Sequence, residues 1–316
     1  MEVPEKRRDH RKRKEIRQSP QKWAFQKGDF MGKRFDALLF PGFKRKAFTL
    51  SYDDGVVQDR RLVKMVNDHH IKGTFNLGYG VLDHEEIARP PMGKPLDISR
   101  VKKEEVASLY EGQEVGGHAL YHSDVSSLGS PYAMYEVIED KAGLERLVEY
   151  PLSMFAYPFG LFDEELKEIL KLAGYKGART IRSTYSFALP KDPFELDPTI
   201  HFPEERLMEL AKDFIEKPAF KAELFYVWGH AYEFDIDDSW DRMEEFLTYM
   251  EGHEDVWYAT NSEILSYMEA YEMLEYSADG SMIYNPTCTD VYIMTSFETS
   301  ECLKAGEVTK IRETKL

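Results

Sequence analysis

Apolar residues along this chain fall into short strand-like runs separated by stretches with helical spacing. Ala47-Phe48-Thr49-Leu50-Ser51-Tyr52 has strand character and runs straight into Asp53-Asp54-Gly55, after which Leu62, Val63 and Val66 repeat at helical intervals. Gly73–Leu77 predicts a second strand. A Pro/Gly-rich loop from Pro90 to Pro95 leads to a helix near Val101–Tyr110 and a short strand at Glu114–Gly117. Pro131–Tyr150 predicts a long helix with Met134, Val137, Ile138, Leu144 and Leu147 on its apolar face. A strand at Ser153–Tyr157 stops at Pro158, and a helix at Asp163–Ala173 stops at Gly174. Lys176–Thr180 and Leu224–Trp228 are strand-like. Asp238–Met250 predicts a helix, Val256–Ala259 a strand and Ser262–Glu275 a final helix. This alternation predicts an α/β fold whose mainly parallel sheet, with right-handed crossovers, curls into a barrel.

The two ends differ from this pattern. Residues 1–40 are polar, basic and aperiodic and predict a solvated arm, leaving 41–275 for the barrel. Beyond Tyr276 a Thr-rich alternation with Gly280 and Pro286 predicts a small β addition over 276–316, too short to hold much core by itself.

The 316 residues carry a net charge of -16 with 42% apolar content, a globular composition. Excess carboxylates repel a phosphate backbone, so nucleic acid is not an expected partner. No apolar run approaches the roughly 20 residues of a membrane span. No apolar segment follows the basic residues Lys6 to Lys14, so cytoplasmic residence is expected. Cys288 and Cys302 are too few for a disulfide scaffold or a zinc finger, and a single bridge is expected only for an exported chain. Oligomeric state has no signal in the sequence.

The candidate chemistry sits just after predicted strands, where parallel α/β folds build their ligand sites. Adjacent carboxylates Asp53 and Asp54 repel each other unless a cation lies between them, and Gly55 permits the sharp turn that brings both toward one point. The plainer reading of the pair is a helix-start turn. His118 and His122 are four residues apart, which on a helical turn puts two imidazoles on one face within reach of one ion. Asp54 completes two imidazoles and a carboxylate, a set that suits zinc and other first-row divalent metals and leaves positions open for water and substrate. His230 ends the apolar run Tyr226-Val227-Trp228-Gly229, and Pro158-Phe159-Gly160 follows another strand on the same edge. Tyr157, Phe159 and Trp228 are candidate stacking faces for a sugar, although core packing accounts equally well for any one of them.

These residues resemble the polysaccharide deacetylases, also called the NodB homology domain or carbohydrate esterase family four. Ser51-Tyr52-Asp53-Asp54-Gly55 resembles the first family motif, His118–His122 the second, Phe155–Gly160 the third and Trp228-Gly229-His230 the fifth, in order over about Ala47 to Tyr271. The resemblance implies a distorted (β/α) barrel with fewer than eight strands. It also implies Asp53 as general base, Asp54, His118 and His122 as ligands of one divalent metal, and His230 as general acid. The metal would be zinc first, with cobalt, nickel, manganese or iron as alternatives. Tyr157, Pro158, Phe159 and Trp228 would then line the substrate, with the Phe159 N–H near the oxyanion. The implied reaction is hydrolytic removal of an acetyl group from an N- or O-acetylated carbohydrate by water activated on the metal.

The chain departs from the family in three places. The arginine that commonly precedes the aromatic of the third motif is Ala156 here, and Arg179, at the end of another predicted strand, is the candidate replacement. The fourth motif has no counterpart, so the carboxylate that orients His230 is unassigned; His201 lies in that stretch. Trp228 stands where the family commonly has leucine, which reshapes the acyl pocket. Competing readings are a same-superfamily hydrolase of a small cyclic amide and a non-catalytic sugar-binding barrel. Non-haem iron oxygenases share the ligand set but sit on all-β scaffolds, which the alternating helices oppose.

Overall fold

The computed structural model describes residues 37–89, 94–296 and 299–311. Strands β1 (Ala37–Leu39) and β2 (Lys46–Asp53) are followed by α1 (Asp59–Asp68) and β3 (Gly73–Leu77). The paired strands β4 (Ile87–Ala88) and β5 (Leu96–Asp97) precede α2 (Val106–Leu109) and β6 (Glu114–Gly117). Next come α3 (Ser130–Val148), β7 (Met154–Ala156), α4 (Glu164–Leu172), β8 (Gly177–Arg179), β9 (Ile200–His201), α5 (Leu207–Glu216) and β10 (Glu223–His230). The helices α6 (Glu233–Ile236), α7 (Trp240–Met250) and α8 (Asn261–Glu272) flank β11 (Val256–Tyr258). Five short strands follow: β12 (Glu275–Tyr276), β13 (Met282–Tyr284), β14 (Val291–Met294), β15 (Ser300–Leu303) and β16 (Val308–Lys310).

β2 is the spine of the molecule. Its eight residues are all buried, as expected for a central strand covered on both faces. One edge pairs in parallel with β10 along its whole length, from Lys46↔Glu223 to Asp53↔His230. The other edge is shared, β11 taking Lys46–Phe48 and β3 taking Leu50–Asp53. The sheet runs β8-β7-β6-β3-β2-β10-β9. Between its two ends, residues 193–202 bond first to β8, through Leu196 N–H to Ala178 O at 2.9 Å, and then to β10, through Phe202 N–H to Trp228 O at 2.8 Å. The result is a curled parallel half-barrel, and Phe48, Phe75, Phe225 and Phe246 fill the packing beneath the helices.

The helical crossovers appear where the spacing predicts them, with three differences. α5 points Leu207, Leu210, Ala211 and Phe214 inward, a helical repeat in a stretch outside the predicted elements. The inward face of α3 is Ala133, Glu136, Val137, Asp140, Gly143 and Leu144, while Ile138 is exposed, so two carboxylates occupy a face expected to be apolar. The basic arm expected over residues 1–40 lies outside the described residues up to 36, and Ala37–Leu39 pair antiparallel with β14 instead of trailing free.

Beyond α8 the sheets β1-β14-β15 and β12-β13-β16 bury Ile283, Val291, Ile293 and Leu303 against Ala270 and Leu274. Both cysteines are free thiols.

Asp59 opens α1 fully buried, accepting the Tyr110 hydroxyl at 2.6 Å, with its other oxygen unpartnered. Burial pushes its carboxyl up to about 8 despite that hydrogen bond, so the fold favours the protonated form. The associated stability is fully present below the ordinary carboxylate value and is lost as pH rises toward 8. Asp59→Asn is expected to gain on the wild type across that window, by at most about 1.4 kcal/mol per pH unit. Urea denaturation from pH 5 to 8 checks this, and a pH-independent difference contradicts it.

Candidate active site

β2 ends in Asp53, and the chain turns immediately. Asp54 has φ +83° and donates its N–H to Asn76 O at 3.0 Å, so the two adjacent carboxylates leave the strand in different directions. Asp53 is only 2% exposed. Asn76, from β3, donates to its Oδ1 at 2.9 Å, and Arg179, from β8, donates to its Oδ2. Burial opposes ionisation of Asp53, but Arg179 first, then His118, His230 and Asn76, hold its carboxyl at about 2. Arg179, the candidate for the arginine absent from position 156, thus pairs with Asp53, and its guanidinium also lies 4.5 Å over the ring of Trp228.

Asp54, His118 and His122 converge, with one ligand atom from each within 4.8 Å of the others. The two histidines do not share a helical turn. Residues 118–122 form a bend in which Ala119 and His122 both have positive φ, at +61° and +54°. The bend is held from α3: Asp140 accepts the His118 N–H at 3.0 Å and the Tyr79 N–H at 2.7 Å, and Glu136 accepts the Tyr121 N–H at 3.1 Å. These bonds explain the carboxylates on the inner face of α3. Left-handed backbone at Asp54, Ala119, His122 and Phe159 concentrates strain at one rim, which persists only where the surroundings over-determine it.

The donor set fits a first-row divalent cation. Nδ1 of His118 donates to Ala156 O at 2.8 Å, which leaves the Nε2 lone pair free in the neutral ring. Burial, followed by the neighbouring His118, depresses His122 to about 4 and keeps it neutral. His122 Nε2 stands 3.5 Å from Asp54 Oδ1. Zinc ligands bonded at about 2.0–2.2 Å stand about 3–4 Å apart, so a small inward adjustment of these side chains suffices. Arg100 also reaches Asp54 Oδ1, at 3.3 Å, a partner with no sequence signal.

On the far side of Asp53, His230 carries its own carboxylate. Glu233, three residues on at the start of α6, accepts the His230 N–H at 2.9 Å and meets Nδ1 at 3.1 Å. Burial disfavours the charged ring of His230, but the Glu233 hydrogen bond and Asp53 outweigh it and raise its pKa. Glu233 itself, opposed by burial but bonded to His201 and His230, is held at about 2. His201 also reaches the site from β9, at 3.1 Å from Glu233.

The expected lining residues divide. Phe159 (φ +58°) is 58% exposed and packs edge-on against His122, with ring centroids 4.6 Å apart. Pro158 is buried. The Tyr157 side chain is turned into the core, stacked on Phe162 and donating to Phe194 O at 3.0 Å, so it does not face the site. Trp228 is also buried, between His201 and Arg179. Tyr232, stacked on His230 at 5.0 Å, is the aromatic at that end.

The rim of the curled α/β half-barrel thus brings Asp53 and His230 beside a metal-type triad. Residues 41–178 match the family model described as polysaccharide deacetylase. Among solved structures, a Mycobacterium smegmatis protein solved as a candidate polysaccharide deacetylase has a TM-score of 0.56 at 13% identity, over 75% of this chain and 94% of its own; it shares the fold. A family 4 carbohydrate esterase from Streptomyces lividans gives 0.43 at 11% identity, over 68% of this chain and 92% of its own. A CE4 family pseudoenzyme from Bacillus anthracis gives 0.44 at 16% identity, over 72% and 68%. No curated protein sequence matches the chain.

Replacing Arg179 by Met leaves the Asp53 charge buried and unpaired. The loss expected at pH 7 is about 3–5 kcal/mol. Protonation of Asp53 relieves the unpaired charge, so the deficit is expected to shrink as pH falls toward 4. Urea denaturation at both pH values checks this; an equal deficit at each contradicts it.

Proposed function

We propose that this protein is a metal-dependent hydrolase that removes acetyl groups from an acetylated carbohydrate. The observation that carries the proposal is the placement of a two-imidazole, one-carboxylate triad and two separately partnered acid–base groups around one rim. Asp54, His118 and His122 would hold the cation, zinc by preference for this ligand set. When bound, such a cation readies a water for attack and polarises the acyl carbonyl.

The protein's own groups then divide the proton transfers. Asp53 stays ionised at neutral pH because Arg179 and Asn76 stabilise its charge, and it takes the proton as water attacks the acyl carbon. Glu233 occupies Nδ1 of His230, which leaves Nε2 to protonate the departing amine or alcohol. The raised pKa of His230 keeps it charged nearer neutrality, as that role requires. The Phe159 N–H, presented by its left-handed turn, is assigned to the carbonyl oxygen. Exposed Phe159 and Tyr121 offer faces on which a sugar ring stacks.

Zinc-loaded protein is to be incubated with N- and O-acetylated sugars and with small cyclic amides, and released acetate measured. Acetate from the sugars is expected, with a loss of about 10²–10⁴-fold in Asp53→Asn. Zinc content is expected to be unchanged in Asp53→Asn and lost in Asp54→Ala and His118→Ala. Wild-type turnover by Asp53→Asn removes the base assignment. Ring opening of a cyclic amide with no acetate released from any sugar removes the deacetylase reading.

A further inference from the structure

His201 carries two contacts that lead to both members of the acid–base pair, and the reaction described above gives it no task. β9 lies beside β10 with His201 in register with Trp228, two residues before His230. Its Nε2 meets Glu233 at 3.1 Å, and its ring stacks on Trp228 with centroids 4.3 Å apart and planes 23° from parallel. Trp228 in turn lies under the guanidinium of Arg179, the partner of Asp53. The rings of His201 and His230 are 6.3 Å apart and nearly perpendicular, so the link between them runs through Glu233.

Glu233 needs such a tether. It sits on a four-residue helix and reaches back only three residues to His230, and a glutamate side chain has several rotamers open to it. His201 approaches from a different strand and adds a third donor to the two supplied by His230. The stack on Trp228 fixes the ring that makes this contact. We propose that His201 is a positioning residue that locks Glu233, so that Glu233 holds His230 by its Nδ1–H and leaves Nε2 facing the reacting group. This rests on the deacetylase reading. His201, His230 and Glu233 are also close enough to ligate a cation, but three N–H donors already occupy both oxygens of Glu233, so hydrogen bonding accounts for the cluster.

Two variants separate the contacts in the zinc-loaded full chain. His201→Phe keeps a ring for Trp228 and removes the donor, whereas His201→Gln keeps a donor at a similar reach. By ¹⁵N NMR, neutral His230 is expected to carry its proton on Nδ1 in the wild type and in His201→Gln, and to become a tautomer mixture in His201→Phe. On an N-acetylated sugar, whose leaving amine needs a proton, His201→Phe is expected to lose about 10-fold or more in kcat with KM unchanged, and His201→Gln to recover most of it. On an aryl acetate, whose leaving group needs none, the loss is expected to stay below about 3-fold. An unchanged His230 tautomer in His201→Phe overturns the proposal, as do equal losses on both substrates or a second zinc per chain that His201→Phe abolishes. If the wild type cleaves neither substrate, the deacetylase reading fails, and the tautomer measurement still decides the role of His201.

Discussion

A carboxylate taken out of water must meet a cation or neutralise, and Asp53 meets Arg179. β8 is four places away from β2 in the sheet order, and strands in a flat sheet stand about 4.8 Å apart. Four such steps come to about 19 Å, far beyond the reach of one arginine side chain. The contact therefore exists only because the sheet curls. Curvature, the buried pair and the stitching of residues 193–202 between β8 and β10 are one constraint seen at three scales. The same pair holds Trp228 beneath the guanidinium and, through it, His201.

The metal-type triad is organised on the same principle, each reactive side chain being supported by an element distant in sequence. Asp54 leaves β2 in a left-handed turn tied to Asn76, and His118 takes its tautomer from a carbonyl of β7. His122 reaches its place through a strained bend anchored on two carboxylates of α3. Left-handed backbone at four residues of this rim and the buried carboxylates behind it are held by the supports just named.

Much of this is legible in the sequence, because alternation and motif order are local. The strands ending at Asp53, Gly117, Ala156, Arg179 and His230 follow from short apolar runs, and their shared edge follows from parallel topology. The partners are not legible in the same way. Arg100 on Asp54 and the Ala156 carbonyl on His118 depend on loop paths that no pattern encodes. Glu233 and the α3 carboxylates left weaker traces, respectively a carboxylate three residues after a histidine and acids interrupting a helix's inner face. The i, i+4 spacing of His118 and His122 pointed to a shared ion but suggested a helix. Two left-handed residues perform the same convergence in a bend.

On the proposed reading the site has two halves that meet at Asp53, a cation-holding triad and a proton-donating cluster, and the assignment of chemistry depends on which half takes the metal. Anomalous diffraction from crystals of the zinc-loaded protein measures this directly. One peak is expected about 2.0–2.2 Å from Asp54, His118 Nε2 and His122, with Glu233 still bonded to His230. A peak at His201, His230 and Glu233, or none at the triad, would contradict this assignment.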